Sequence, residues 1–294
     1  MGINRRTFIL SGAGAAVVAV GGGAGLVEAG VLPGKARLDA FLSLDGGSGT
    51  VPDIASGPIV SGTFRSAARR TTVGYSIVRP PGHTGALPMA VVLHGKSVDH
   101  TDAVNGMHYD KFLAAATQSG TPPFALVTVD GGNTTYWHRR ASGDDPLTMI
   151  RDELLPIAAA NGLRTGRIGV TGWSMGGYGA LLIGGQLGTR RVAAVAAVSP
   201  AIFADYASSS AGSFDSVADF RANDPRNDPG ALDGVDVFID CGTDDPFADQ
   251  AQQMRSMLHP TPAGGMGRGA HTSAYWTRVT LDQMQFLGRS LAAV

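Results

Sequence analysis

The strongest structural signal in this sequence is the stretch Gly172-Trp173-Ser174-Met175-Gly176. The apolar run 167–171 precedes it, and a run of small and apolar residues, 175–187, follows it. A G-x-S-x-G pattern between a strand and a helix is typical of a nucleophile elbow, a sharp turn that exposes the serine hydroxyl. With 42 glycines in 294 residues the pattern alone could arise by chance, so the flanking strand and helix decide the interpretation. They predict that Ser174 is a catalytic nucleophile.

Short apolar runs alternate with helical patterns along the rest of the chain. Five runs have the length and composition of strands buried on both faces: Leu87–Leu93, Ala125–Val129, Arg167–Thr171, Val192–Val198 and Val235–Asp240. Helices are predicted at Tyr109–Gln118, Leu147–Ala159, Met175–Leu187, Ala248–Leu258 and Tyr275–Leu291. Two earlier segments are predicted to pair as antiparallel edge strands, Ile59–Phe64 and Thr71–Val78. With the elbow, this alternation predicts an α/β-hydrolase fold, a doubly wound, mostly parallel sheet with helices on both faces.

The chain length allows one large α/β core, and no linker-like break interrupts the alternation of strands and helices. A single catalytic domain is therefore predicted at residues 59–294. Within it, the polar segment 201–234 is rich in Asp, Ser and Pro and is predicted to be an insertion over the site. Residues 30–58 are predicted to form an N-terminal extension, and residues 1–29 a signal segment.

The signal segment has paired arginines, Arg5 and Arg6, before an uncharged stretch rich in Gly and Ala that reaches Val27. This pattern resembles a twin-arginine export signal and predicts a secreted or cell-envelope protein. Residues 27–29 offer a small-residue cleavage site of fair quality. The stretch is also long enough to cross a bilayer, so a retained anchor is the alternative. Membrane association is expected only if the segment is retained.

Charge and cysteine content restrict the partners. The formal net charge is -1, and no dense run of Lys and Arg is present, which argues against a nucleic-acid partner. The expected partner is a small-molecule, lipid or glycan substrate. The single cysteine, Cys241, excludes an intramolecular disulfide, and its apolar neighbours predict a buried thiol.

A serine nucleophile needs a base, and in this fold the catalytic residues follow the order Ser, Asp or Glu, His. That order excludes the five histidines before Ser174, which are His83, His94, His100, His108 and His138. Two histidines remain. His259 stands at a helix end before Pro260, where its charge would favour the helix terminus. His271 lies in a Gly-rich loop before the last helix, where the base of this fold is expected, so His271 is the predicted base.

The acid that orients the base is expected at the carboxyl end of the strand Val235–Asp240. Asp245 is the first choice in the turn that follows this strand. Asp244 is the second choice, and Asp240, still in the strand, is the third. Asp244 or Asp245 could instead cap the helix that follows.

A tetrahedral intermediate needs preorganised N–H donors for its oxyanion. In this fold the donors are the residue after the nucleophile and one residue in the loop after the third strand, which indicates the amides of Met175 and Lys96. His94, in that loop, is predicted to be structural. The nearby cluster of His94, Asp99, His100 and Asp102 matches no familiar ligand spacing, so no metal is expected.

Substrate contacts are predicted for Trp173, inside the elbow, and for Arg139 and Arg140, in the loop after the strand Ala125–Val129. An arginine there could bind a carboxylate or sugar hydroxyls. The alternative is that one of these arginines pairs with Asp144 or Asp145 and holds a loop.

Several of these motifs together resemble the putative-esterase family of α/β-hydrolases, which includes S-formylglutathione hydrolase and the mycobacterial mycolyltransferases. The resemblance covers the chain from Thr71 onward and depends on three motifs: Gly172 to Leu181, Gly242-Thr243-Asp244-Asp245, and His271 with Tyr275-Trp276 behind it. It implies a carboxylic-ester hydrolase or an acyltransferase that uses the same acyl-enzyme. Lys96 after His94-Gly95 differs from the mycolyltransferase loop. The export signal and the Ala and Gly content resemble exported actinobacterial esterases.

The functional hypothesis is an exported serine ester hydrolase with Ser174, His271 and Asp245 as a catalytic triad and no cofactor or metal. An acyltransferase with the same triad is the first alternative. A non-catalytic binding protein on this fold is the second, because a fold does not determine a function.

Overall fold

Within residues 46–293, an eight-stranded sheet organises the protein, in the order β1-β2-β4-β3-β5-β6-β7-β8. The structure is a computed structural model that describes residues 46–293. The strands are β1 (Ile59–Ser66), β2 (Thr71–Val78), β3 (Leu87–Leu93), β4 (Ala125–Val129), β5 (Leu163–Trp173), β6 (Val192–Val198), β7 (Asp236–Gly242) and β8 (Met266–Gly267). The α-helices are α1 (Asp102–Asn105), α2 (Tyr109–Gln118), α3 (Pro146–Met149), α4 (Leu155–Ala160), α5 (Met175–Leu187), α6 (Val217–Asn223), α7 (Ala248–Met257) and α8 (Ser273–Ala292).

Most neighbouring strands in the sheet are parallel. β1 pairs antiparallel with β2, and β2 pairs antiparallel with β4. From β4 through β3, β5, β6 and β7 to β8, every pair is parallel. The predicted doubly wound, mostly parallel sheet is confirmed, and β1 forms the predicted antiparallel edge.

The core has two layers, one on each face of the sheet. β3, β4 and β6 are buried along their whole length, as their continuous apolar composition predicts. Successive residues point to opposite faces, so Val91 packs in one layer and Val92 in the other. One layer contains side chains of α3, α4, α5 and α7, and the other contains side chains of α1, α2 and α8. Cys241 is buried, as predicted.

The predicted helix Leu147–Ala159 is not regular along its length. A π-helical turn, Ile150–Leu154, separates α3 from α4, and the amide of Leu155 donates to the carbonyl of Ile150. Pro156 follows immediately and has no N–H to donate, and its ring would clash with the carbonyl four residues earlier in a regular helix. The wider turn accommodates the proline.

Between β6 and β7, segment 201–234 contains α6 and two short 3-10 turns, Pro225–Asn227 and Pro229–Leu232. Its role as an insertion and the predicted domain boundaries stay predictions. Within residues 46–293, no helix combines the length and apolarity needed to span a bilayer. The predicted signal segment 1–29 and most of the extension 30–58 lie outside the described residues.

Candidate active site

Ser174 occupies a strained turn between β5 and α5. Its backbone angles are φ 55° and ψ -121°, and its amide donates to the Val198 carbonyl at 3.0 Å. Gly172 and Gly176 allow the turn to form, because a Cβ atom on either would collide with the carbonyl oxygen of Leu93. A Cβ on Gly176 would also lie 2.8 Å from the carbonyl oxygen of His94. The elbow therefore needs glycine at both positions for a steric reason.

Strained backbone is concentrated at this edge of the sheet. Of the seven non-glycine residues with positive φ within residues 46–293, five lie in the loops that follow β3, β4, β5 and β6. These are Ser97, Tyr136, Trp137, Ser174 and Ser199. Such conformations cost about 1–3 kcal/mol each and cluster where surrounding contacts hold a functional geometry. The carboxyl edge of the parallel strands is accordingly the candidate site.

Ser174, His271 and Asp245 come from separate loops and form a chain of two hydrogen bonds. Oγ of Ser174 lies 2.8 Å from Nε2 of His271, and Nδ1 of His271 lies 2.8 Å from Oδ2 of Asp245. A carboxylate only accepts hydrogen bonds, so Nδ1 donates to Asp245, and Nε2 of the neutral ring is free to accept the serine proton. The arrangement can remove a proton from the Ser174 hydroxyl.

Asp245 is held for this contact. Its side chain is fully buried, and its second oxygen, Oδ1, accepts from the amide of Phe247 at 2.9 Å. The third-choice acid, Asp240, is turned to other partners: Oδ1 accepts from the hydroxyl of Tyr275, and Oδ2 accepts from the amide of Gly265 at 2.9 Å. Burial raises the pKa of Asp240. Between Asp245 and Asp240, Asp245 is the acid that contacts His271.

Two aromatic rings enclose the His271 imidazole. The Phe247 ring lies 5.2 Å away at 68°, and the Trp276 ring lies 5.0 Å away at 89°, centroid to centroid. The His271 side chain nevertheless keeps 22% of its surface exposed. The rings fix the plane of the imidazole while leaving a solvent path to it. The alternative base, His259, precedes a cis peptide bond to Pro260 and makes no hydrogen bond with its ring to a residue in 46–293.

Both predicted oxyanion donors are available. Met175 is the first residue of α5, so its amide has no acceptor within the helix, and neither it nor the Lys96 amide donates to an acceptor among the described residues. The loop that carries Lys96 passes against the elbow: a Cβ on Gly95 would lie 2.8 Å from Nε1 of Trp173. One amide without an acceptor among the described residues therefore follows Ser174 in the chain, and the other lies in the turn that packs against Trp173.

The residues predicted to contact substrate have different surroundings. Trp173 is only 2% exposed, and its ring packs edge-on against Tyr109 at 5.7 Å. Trp173 packs beneath the Gly95 turn. Its predicted contact with substrate stays a prediction. Arg139 is exposed, with no side-chain partner in the described part of the chain.

All three nitrogens of the Arg140 guanidinium donate hydrogen bonds. The guanidinium binds the Asp215 carboxylate through two nitrogens, at 2.8 and 3.2 Å, and also donates to the carbonyls of Thr134 and Gly212. The alternative, in which an arginine pairs with an aspartate and holds a loop, thus describes Arg140, but its partner is Asp215 and neither Asp144 nor Asp145. Asp144 pairs with Arg69 instead, and Asp145 caps α3 through the amide of Thr148.

Several neighbours of the site had no clear sequence signal. Phe247 is an ordinary aromatic residue in sequence, although it lies close to the predicted acid Asp245. Trp276 belongs to the motif behind His271, but the sequence does not indicate its contact with the imidazole. Asp215 is 75 residues from Arg140, a pairing that no local pattern indicates. Within residues 46–293, one group of side chains has potential metal-ligand atoms within 4.8 Å of one another. The group consists of Asp99, His100 and Asp130. Hydrogen bonds to His100 and Gly74 already engage both oxygens of Asp130.

The sequence matches a known protein family. The family model described as putative esterase matches residues 66–264, which is more than half of the chain. No curated protein sequence matches at a significant level.

Solved structures share the fold at low sequence identity. A ferulic acid esterase is 20% identical, with a TM-score of 0.69 over 81% of this chain and 100% of its own. An S-formylglutathione hydrolase from Agrobacterium tumefaciens is 15% identical, with a TM-score of 0.68 over 82% of this chain and 98% of its own. A fluorophosphonate-binding serine hydrolase from Staphylococcus aureus is 16% identical, with a TM-score of 0.65 over 80% of this chain and 99% of its own.

Proposed function

Because the chain belongs to the putative-esterase family and is a serine esterase, we propose that it cleaves carboxylic esters through an acyl-enzyme formed on Ser174. One observation carries the proposal: two successive 2.8 Å contacts link the Ser174 hydroxyl to the His271 ring and that ring to the buried Asp245. A serine hydroxyl is a weak nucleophile at neutral pH, and this arrangement supplies the base that it lacks.

In the first half of the reaction, Nε2 of His271 accepts the hydroxyl proton as Ser174 attacks the ester carbonyl. Asp245 holds the ring in the required tautomer and stabilises the imidazolium that forms. The amides of Met175 and Lys96 donate to the oxyanion of the tetrahedral intermediate. His271 then returns its proton to the departing alcohol, which leaves Ser174 acylated.

In the second half, His271 accepts a proton from water as the water attacks the acyl carbonyl. His271 then returns this proton to Oγ of Ser174 as the acyl–oxygen bond breaks and the acid leaves. The exposure of the His271 ring favours water as the acceptor. Acyl transfer would use the same acyl-enzyme with an alcohol in place of water. The substrates proposed are small-molecule esters, with lipid and glycan esters in the same chemical class. No step requires a cofactor or a metal.

We also propose export by the twin-arginine route, supported by Arg5 and Arg6 before the uncharged stretch that ends near Val27. An esterase outside the cytoplasm would act on esters in the medium or the cell envelope. Membrane attachment would follow only from retention of residues 1–29.

The decisive experiment is hydrolysis of p-nitrophenyl esters of graded acyl length by the wild type and by Ser174→Ala. We expect hydrolysis by the wild type and a loss of about 10³-fold or more in kcat/KM in the variant. A fluorophosphonate should label the wild type at Ser174, identified by peptide mass, and should leave Ser174→Ala unlabelled. Equal rates in both proteins, or no hydrolysis and no labelling, would contradict the proposal. Product analysis with added alcohols distinguishes hydrolysis from acyl transfer.

A further inference from the structure

The turn that carries Lys96 is itself strained. It leaves β3 at Leu93, and Ser97, the residue after Lys96, has a φ of 66°. A serine in the left-handed region is unfavourable by itself and persists only where neighbouring contacts fix it. An oxyanion amide must also be held in place before the charge develops, because its benefit depends on preorganisation. The contacts that fix the two ends of this turn are therefore of functional interest.

The first end is fixed through His94. This residue is 2% exposed, its Nε2 accepts from the amide of Gly131 at 2.9 Å, and its Nδ1 lies 2.7 Å from the carbonyl oxygen of Gly95. Since a carbonyl oxygen can only accept, Nδ1 carries the proton and the ring is neutral. Burial lowers the pKa of His94, in agreement with a neutral ring. The start of the turn is thereby attached to the loop after β4.

The second end is fixed through His100. One oxygen of Asp130 accepts from both the backbone amide and Nδ1 of His100, each at 2.8 Å. The other oxygen accepts from the amide of Gly74 on β2, also at 2.8 Å. The missing side chain of Gly74 makes room for the ring, because a Cβ there would lie 2.6 Å from Nδ1 of His100. One carboxylate thus ties the end of the turn to two strands.

Asp130 and Gly131 are adjacent residues, so one short segment after β4 holds both ends of the turn. We propose that Asp130, acting through His100, is a positioning residue that holds the Lys96 amide in the oxyanion hole. The inference rests on the proposed function, since it assigns a role within that reaction. Neither Asp130 nor His100 contacts the triad; each acts on the reaction only through the backbone of the turn.

The test compares His100→Leu, which removes the side-chain donor, with His100→Asn, whose amide can still donate to Asp130. His83→Leu is the control, because His83 lies in the turn before β3, at the opposite end of the strand. The measurements are kcat and KM for a p-nitrophenyl ester and the inhibition constant of a trifluoromethyl ketone, whose adduct with Ser174 carries the oxyanion.

In His100→Leu we expect kcat to fall about tenfold or more, KM to stay within about twofold, and the ketone to bind more weakly by the same factor as kcat/KM. His100→Asn should recover most of the loss, and His83→Leu should match the wild type. If His100→Leu does not fold, Asp130→Glu, which moves the carboxylate by one methylene, replaces it with the same expectation.

Unchanged kcat and ketone affinity in a folded His100→Leu would overturn this inference alone, provided that the wild type hydrolyses esters and Ser174→Ala does not. Equal losses in His100→Leu and His100→Asn would also overturn it. No hydrolysis by the wild type would overturn the proposed function and this inference with it.

Discussion

Single glycines determine whether the strained turn that presents Ser174 can form at all. Gly172 and Gly176 lie on either side of Ser174, and both face the end of β3. Gly177 is almost as restricted, since a Cβ there would lie 2.9 Å from the carbonyl oxygen of Val198. These contacts are with backbone atoms, which cannot rotate away as a side chain can. The elbow thus depends on the absence of side chains at these three positions as much as on the serine.

We expect Gly176→Ala to lower the free energy of unfolding by roughly 2–4 kcal/mol and to abolish hydrolysis, because the new methyl group would force β3 away from the elbow. Urea denaturation and ester hydrolysis measure the two effects. Gly166→Ala is the matched control: Gly166 belongs to the same strand, β5, and its Cβ would meet nothing within 4 Å. A Gly176→Ala protein as stable and active as Gly166→Ala would show that the elbow tolerates a side chain.

At Asp245 we expect the conservative change Asp245→Asn to lower kcat by roughly 10³–10⁴-fold, because an amide that donates to Nδ1 would impose the wrong tautomer on His271. The neighbouring Asp244→Asn is the control and should stay within a few-fold of the wild type. Steady-state kinetics on one ester, with circular dichroism to verify folding, provide the comparison. A larger loss in Asp244→Asn would transfer the role of the acid to Asp244.

Among the secondary-structure elements, those with a local sequence signal could be predicted and those defined by distant contacts could not. The bounds of α2 and α5 match their predictions because apolar periodicity and small residues lie within each helix. β8 has only two residues, Met266 and Gly267, too few for any periodic pattern. The same holds in the site, where the G-x-S-x-G motif indicated Ser174, and chain order with loop position indicated His271. The Arg140 to Asp215 pair required the folded chain.

Asp215 is one of the residues that attach segment 201–234 to the loop after β4. Besides Arg140, this carboxylate accepts from the amide of Ala141 at 2.7 Å. The hydrogen bonds from Arg140 lower the pKa of Asp215 to about 2. A carboxyl group with a depressed pKa in the folded state stabilises the fold above its unfolded pKa, near 3.9, and loses that contribution as the pH falls towards 2.

We therefore expect Asp215→Asn to be less stable than the wild type by about 1 kcal/mol near neutral pH, a modest value because solvent screens the pair. The difference should shrink between about pH 4 and pH 2 as the wild-type carboxyl takes up its proton. Urea denaturation of both proteins across this range measures it. Asp236→Asn, an exposed position at the start of β7, is the control. A difference that stays constant down to pH 2 would mean that the charge of Asp215 contributes nothing.

In the whole molecule, the sheet brings all parts of the candidate site to one edge. Parallel strands end on the same side, so the loops after β3, β5 and β7 place Lys96, Ser174 and Asp245 at the same edge of the sheet. His271 arrives from the loop between β8 and α8. The antiparallel strands β1 and β2 contribute no triad residue, but Gly74 on β2 helps to hold the turn of Lys96. A sheet whose loops are held in strained conformations at one edge suits the proposed ester cleavage, because that reaction depends on N–H donors in fixed positions.

The proposed export also concerns the whole chain and depends on the arginine pair Arg5 and Arg6. We expect Arg5→Lys combined with Arg6→Lys to leave the protein in the cytoplasm of a host with a twin-arginine pathway, because that route recognises the arginine pair. The matched control is Arg190→Lys with Arg191→Lys, a second arginine pair between α5 and β6. Cell fractionation with ester hydrolysis as the readout gives the location, and the mass of the exported protein shows whether residues 1–29 are removed. Loss of 29 residues would indicate a secreted enzyme, whereas full-length protein in the membrane fraction would indicate a retained anchor. Equal export of both double variants would contradict the twin-arginine route while leaving the proposed ester chemistry untouched.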